Sequence, residues 1–185
     1  MSNESRAPAL VLDNPTPTLF VDYDGTLHRG RGLLDVSGQV SLDTGNPLFE
    51  FVPLLERLLN PYPGVEIVLT TSWLDTLPFE KVVSYLPLSL AKRVAGTTHG
   101  IKPRFGYLMD GSARTYVIRS YVFEHHLKNW LAIDDSVYGA YHLSTDFLQL
   151  EPHLVLLDPR QGIDSTESRR RIGDWLAEVH GADSS

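Results

Sequence analysis

The sequence predicts an α/β fold built on a mainly parallel sheet. Short apolar runs rich in branched side chains alternate with segments of helical periodicity along most of the chain. Two of these runs end directly in paired acids, at Asp22-Tyr23-Asp24 and Asp134-Asp135, and a third ends in hydroxyls at Thr70-Thr71-Ser72. Strands alternating with helices favour right-handed crossovers, and such sheets gather their sites at the strands' carboxyl ends. The 185 residues, 42% of them hydrophobic, suit one domain with a sizeable core. Residues 15–180 are read as that domain, with a flexible arm over 1–14 and a flexible tail over 181–185.

The net charge of −7 gives the surface as a whole no attraction for polyanions. It therefore does not favour a nucleic-acid partner, although local basic groups leave one open. The absence of cysteine removes disulfides, thiolate zinc sites and cysteine nucleophiles together. No apolar run approaches the roughly 20 residues needed to span a bilayer, and no basic stretch with an apolar core opens the chain. The expectation is a cytoplasmic protein without a signal peptide or a membrane partner.

The first strand, Leu19-Phe20-Val21, runs into Asp22 and Asp24 and then a Gly25-Thr26 turn. Two close carboxylates repel each other and lose hydration, and a hard cation relieves both problems. The pair can also divide labour between nucleophile and general acid/base. Basic residues follow, including His28, to which no role is given, and Arg29 and Arg31, read as a solvated loop. Alternation on both sides of Ser37-Gly38 predicts a hairpin. Asn46-Pro47 is read as the start of a helix with Leu48, Phe51, Val52, Leu55, Leu58 and Leu59 on its buried face, stopped at Asn60-Pro61.

Residues 65–69 form the next strand, and the hydroxyls and free amides after it suit a phosphate oxygen. Thr71 is chosen there, with Ser72 behind it, and Trp73 is read as packing near the site or filling the core, with the core favoured. A helix over 77–85 and a short strand at 93–95 follow. Next comes a loop carrying Lys102 and Arg104, then a helix opened near Ser112 with Arg114 in its first turn and Arg119 further along. Trp130-Leu131-Ala132-Ile133 leads into Asp134-Asp135, residues 153–157 form a last strand, and Ser165 caps a final helix with Ile172, Trp175, Leu176 and Val179 inward. Arg169-Arg170-Arg171 is read as a solvated stretch.

The run Leu19-Phe20-Val21-Asp22-Tyr23-Asp24-Gly25-Thr26 resembles motif I of the haloacid dehalogenase-like (HAD) superfamily, and Asp134-Asp135 resembles its motif IV. Thr71 resembles motif II. The third motif, usually a lysine, has no clear match, and Arg114 and Lys102 both remain candidates. Thr71-Ser72-Trp73 and Asp134-Asp135 are also similar to small bacterial HAD domains associated with RNA repair. The resemblance implies a three-layer Rossmann-like fold. It further implies phosphomonoester hydrolysis through an aspartyl-phosphate on Asp22, with Asp24 as acid/base. Mg²⁺ would be held by Asp22, the Asp24 carbonyl and Asp135, and Asp134 would orient the third-motif cation or a water on the metal. Thr71, Ser72 and Arg114 or Lys102 would bind the substrate's phosphate. An acid at Asp24 favours phosphatase over dehalogenase within that family.

The intervals between motifs are too short for a large cap domain, so the site should be open. Openness suits a large phosphorylated substrate, such as a nucleic-acid end or a phosphoprotein. The alternatives are a regulatory module that binds phosphate and metal without turnover, and a small-molecule phosphatase such as a nucleotidase.

Overall fold

A computed structural model describes residues 13–145 and 149–181. The expected arm and tail lie, except for residues 13, 14 and 181, outside the described residues. Five parallel strands form the central sheet in the order β5-β4-β1-β6-β7. They are β1 (Thr18–Val21), β4 (Glu66–Leu69), β5 (Val94–Thr97), β6 (Trp130–Asp134) and β7 (Leu154–Leu156). The strand at the centre, β1, is buried over all four residues. Its run of apolar side chains is what a strand covered on both faces requires.

Alternation along the strands sorts the core into two layers. Leu19, Val21, Ile67, Leu69, Leu131 and Ile133 point to one face, where α1 (Val52–Leu59) and α7 (Thr166–Gly181) cover them. Phe20, Val68, Trp130 and Ala132 point to the other, against α5 (Ala113–Glu124). The architecture is thus a three-layer, Rossmann-like α/β sandwich with no large cap. Between the first acidic pair and Thr71 lie only the hairpin of β2 (Gly32–Leu34) and β3 (Val40–Leu42), the helix α1 and the sheet strand β4. No helix among the described residues is long and apolar enough to cross a membrane.

Several expectations need correction. The helix expected from Asn46 begins at Val52, with Pro53 rather than Pro47 in its first turn. Phe49 adopts a positive φ of 58°, which a helix cannot accommodate. Its ring packs edge-on to Tyr23 and His28, so tertiary contacts override the local start signal. The helix expected over 77–85 shortens to α2 (Phe79–Val83). Three short helices were not anticipated: α3 (Leu88–Ala91), α4 (Phe105–Met109) and α6 (Ala140–Leu143). Each is too brief to show a helical period. Of the three consecutive arginines, Arg171 is not simply solvated. Its guanidinium donates to the carbonyls of Leu154 and Pro152, at 2.7 and 3.0 Å, and ties α7 to the start of β7.

Candidate active site

The parity that builds the core also builds the site. Val21 pairs with Leu69 and with Ile133, so the next residues in the three central strands are Asp22, Thr70 and Asp134. All three fall on the α5 side by the same alternation that turns Phe20, Val68 and Ala132 that way. Ser112 precedes α5 as its N-cap residue, and the first turn of the helix brings Arg114 over this edge.

Arg114 sits between two of the acids. Its Nε lies 3.2 Å from Asp134 Oδ2, and its Nη2 lies 3.8 Å from Asp22 Oδ2. Thr70 Oγ1 donates to the same Asp134 oxygen at 3.1 Å, and the Ser136 amide donates to its other oxygen at 2.7 Å. Asp22 Oδ1 accepts from the Tyr23 amide at 2.7 Å. Asp22, Asp134 and Asp135 each bring one carboxylate oxygen within 4.8 Å of the others.

Asp22 and Asp134 are buried, so hydration does not support their charge. Burial, followed by the neighbouring Asp134, holds the Asp22 carboxyl well above the usual carboxylate range, against the opposing pull of Arg114. Burial likewise raises Asp134, which Arg114 only partly offsets. Burial alone would lower the Arg114 guanidinium, but Asp22, Asp134 and Asp135 more than reverse that, and the group stays charged.

Asp24 is held apart from this cluster. Its Oδ1 accepts three hydrogen bonds: from His28 Nε2 at 3.0 Å, from the Gly32 amide at 3.0 Å and from Trp73 Nε1 at 2.8 Å. His28 is fully buried, and its Nδ1 accepts from the Phe49 amide at 3.4 Å. With Nδ1 accepting, the ring proton belongs on Nε2, which donates to Asp24. The expectation that His28 has no role is therefore corrected. Trp73 joins the two readings offered for it, since it is buried and also donates to Asp24. A donor reaching Asp24 across 49 residues leaves no local signal, but His28 stands four residues after Asp24, as hydrogen-bonded neighbours in a tight turn do.

Two glycines permit these approaches. Gly25 has φ +64°, and a Cβ there would collide with the Asp135 carboxylate. A Cβ at Gly32 would lie 2.7 Å from the Trp73 indole, so only glycine lets this amide reach Asp24 beside it.

The other candidates are distributed as follows. Thr71 is buried, and its hydroxyl accepts from the Trp73 amide at 3.3 Å, capping the short 3-10 turn Ser72–Asp75. It also lines, with Ser72, Thr70, Arg114 and Ser136, a cleft of about 430 Å³. Thr70, rather than Thr71, makes the contact with Asp134. Counting alternation from Val68 would have pointed to it. Lys102 is exposed and makes no ion pair among the described residues, whereas Arg114 lies on the cluster. Arg29 pairs with Glu50 at 3.6 Å and lies over the Phe51 ring, away from the acids.

The donor chemistry fits a hard divalent cation. Three carboxylates face one guanidinium, which leaves two formal negative charges in a largely buried space with only oxygen ligands on offer. Asp24's side chain is not among those three, and its place in the set expected from the sequence was its main-chain carbonyl.

Neither the curated proteins nor the solved structures offer a match to this chain. The family described as the HAD domain in Swiss Army Knife RNA repair proteins does match, over residues 18–168, which takes in both acidic pairs and all five strands of the central sheet. The chain belongs to that HAD family.

Proposed function

We propose that this domain is a Mg²⁺-dependent phosphomonoester hydrolase acting through an aspartyl-phosphate on Asp22. Membership of the family supports a hydrolase of the HAD type. The observation that carries the finer reading is the meeting of Asp22, Asp134 and Asp135 beside Arg114, at the carboxyl edge of the sheet.

Asp22 would attack phosphorus in line with the departing oxygen. A new P–O bond forms to its carboxylate as the bond to the leaving group breaks. Arg114 neutralises oxygens of the transferring group, and the hydroxyls of Thr71 and Ser72 are offered to the phosphate at the cleft, whose lining does not include Lys102. Asp24 gives a proton to the leaving oxygen. It then takes one from the water that attacks phosphorus, which releases orthophosphate and restores Asp22. The three donors on its Oδ1 leave Oδ2 to carry that proton. Mg²⁺ bound by Asp22, the Asp24 carbonyl and Asp135, with Asp134 beside them, would offset the repulsion between nucleophile and phosphate.

The open cleft suits a large or exposed substrate, a nucleic-acid end or a phosphoprotein. The RNA repair proteins that give the family its description favour the first. Hydrolysis of an aryl phosphate with and without Mg²⁺ tests the reading. Turnover that needs Mg²⁺ and disappears in Asp22→Asn supports it. No turnover above the Asp22→Asn background leaves a phosphate-binding module without catalysis. A phosphorylated oligonucleotide, a phosphopeptide and a nucleoside monophosphate, compared by kcat/KM, then rank the substrate classes.

A further inference from the structure

The helix α4 stands as a ridge between two depressions. On one side Pro103 and Leu108 line the cleft that Arg114 enters. On the other, Arg104 and Tyr107 line a groove of about 630 Å³ whose opposite wall is α5. That wall presents Tyr116, Arg119 and Phe123, which recur at i, i+3 and i+7 and so share one helix face.

The groove's charge runs against that of the chain. Arg104 and Arg119 make no ion pair among the described residues, and Lys128 pairs at 3.3 Å with Asp13, the one carboxylate among the described residues of the lining. Elsewhere on the molecule, a depression lined by Arg170 and Arg171 also carries Asp174 and Glu178, and Arg170 is paired with Asp174 at 2.7 Å. The groove along α5 thus keeps free guanidinium groups in a chain of net charge −7. One aromatic ring stands free for contact, Phe123 at 77% exposure, while Tyr107 and Tyr116 are half-buried and stack on each other with centroids 4.5 Å apart. Flat rings interleaved with cations are what unpaired bases and their phosphates require. An acidic peptide would match the cations and leave the rings without a counterpart.

We propose that this groove binds single-stranded polynucleotide, with the strand crossing α4 so that its terminal phosphate meets Arg114. The proposal rests on the phosphomonoesterase reading and selects nucleic acid as its substrate class. Arg114 and Phe123 are nine residues apart, about 14 Å along the helix axis, so the groove lies within a few nucleotides of the acidic cluster.

The test is fluorescence anisotropy of a labelled single-stranded oligoribonucleotide that carries no phosphate monoester, in EDTA, across a salt series. Binding is then read without catalysis. Arg104→Glu with Arg119→Glu is expected to weaken binding and to flatten the salt dependence of log K by about 0.7 for each arginine. Phe123→Ala is expected to weaken binding about five- to hundredfold with the salt slope unchanged. Both variants should hydrolyse an aryl phosphate at the native rate, which also shows that they fold. Absence of oligonucleotide binding by the native chain, or binding indifferent to these substitutions, overturns the proposal. So does a phosphopeptide whose binding the same variants abolish while oligonucleotide binding persists. Groove-dependent binding in a chain that hydrolyses no phosphate ester would uphold the groove and sink the catalytic reading alone.

Discussion

Asp22 is buried among like charges with one guanidinium to answer them, whereas Asp24, two residues on, receives three donors on a single oxygen. The same short turn delivers both. Around Asp24 the fold has filled one carboxylate oxygen, with a buried imidazole, an indole and a loop amide holding the side chain in place. Around Asp22 it has left a deficit of positive charge that only something external removes. Stability alone would not collect Asp22, Asp134 and Asp135 in one place, because an uncompensated buried charge is strongly unfavourable. The difference separates a side chain positioned by the protein from side chains poised for a ligand.

The most severe way to break this contrast is Asp22→Asn. It should lower kcat by at least about a thousandfold, as loss of a covalent nucleophile does. The metal-free variant should also be more stable than the native chain by about 1 kcal/mol, because a site tuned for function yields stability when its repulsion is removed. Steady-state kinetics and urea unfolding in EDTA measure the two effects. Arg114→Ala acts in the opposite sense on stability. Removing the guanidinium should cost about 3 kcal/mol in EDTA and about a hundredfold in kcat/KM.

Protonation sharpens the comparison. Asp22 and Asp134 are raised in the folded chain, so the native state binds more protons than the unfolded one above the ordinary carboxylate range. Their contribution is present in full below that range and is lost as pH rises through the folded values, about 6 for Asp134. The stability of the metal-free native chain relative to Asp134→Asn should therefore fall as pH rises from about 4 to about 7. Saturating Mg²⁺ should remove most of that fall. A difference that grows with pH in EDTA would show that the cluster is already neutralised within the protein.

The smallest effect belongs to the completed side. Trp73→Phe keeps a ring in the core and deletes one of three donors, so it should cost about 1 kcal/mol. A loss in kcat without a change in KM would mark the indole as positioning Asp24, and an unchanged kcat would leave Trp73 as packing alone.

The sequence exposed these two environments unequally. The central strands β1, β4 and β6 were legible because each is a short run of mostly buried apolar residues, and β1 and β6 deliver acids at their ends without any help from distant parts of the chain. Arg114 was legible only as one of two candidates: Ser112 precedes a helix whose inner face, Val117, Ile118 and Val122, shows a helical period, but nothing local set Arg114 above Lys102. The partners of Asp24 were hidden. Trp73 reads as a core residue because it is one, and nothing local marks its indole N–H as aimed at an acid 49 positions earlier. The late start of α1 was hidden for a similar reason. Phe49 leaves helical geometry to join the aromatic cluster around Tyr23, His28 and Trp73, and that cluster exists only in the folded chain. Thr70 was recoverable in principle by extending strand alternation one residue past Leu69, whereas the short helices α3, α4 and α6 offered too few residues to count.

The central claim is that Asp22 is the residue to which phosphorus is transferred. Acid-quenched mass spectrometry of the protein during turnover of an aryl phosphate with Mg²⁺ examines it directly. The account predicts a transient gain of one HPO₃ group on the peptide that carries Asp22, lost on further incubation and absent in Asp22→Asn. Sustained turnover in that variant, or a phosphoryl group found on any other residue, would contradict it.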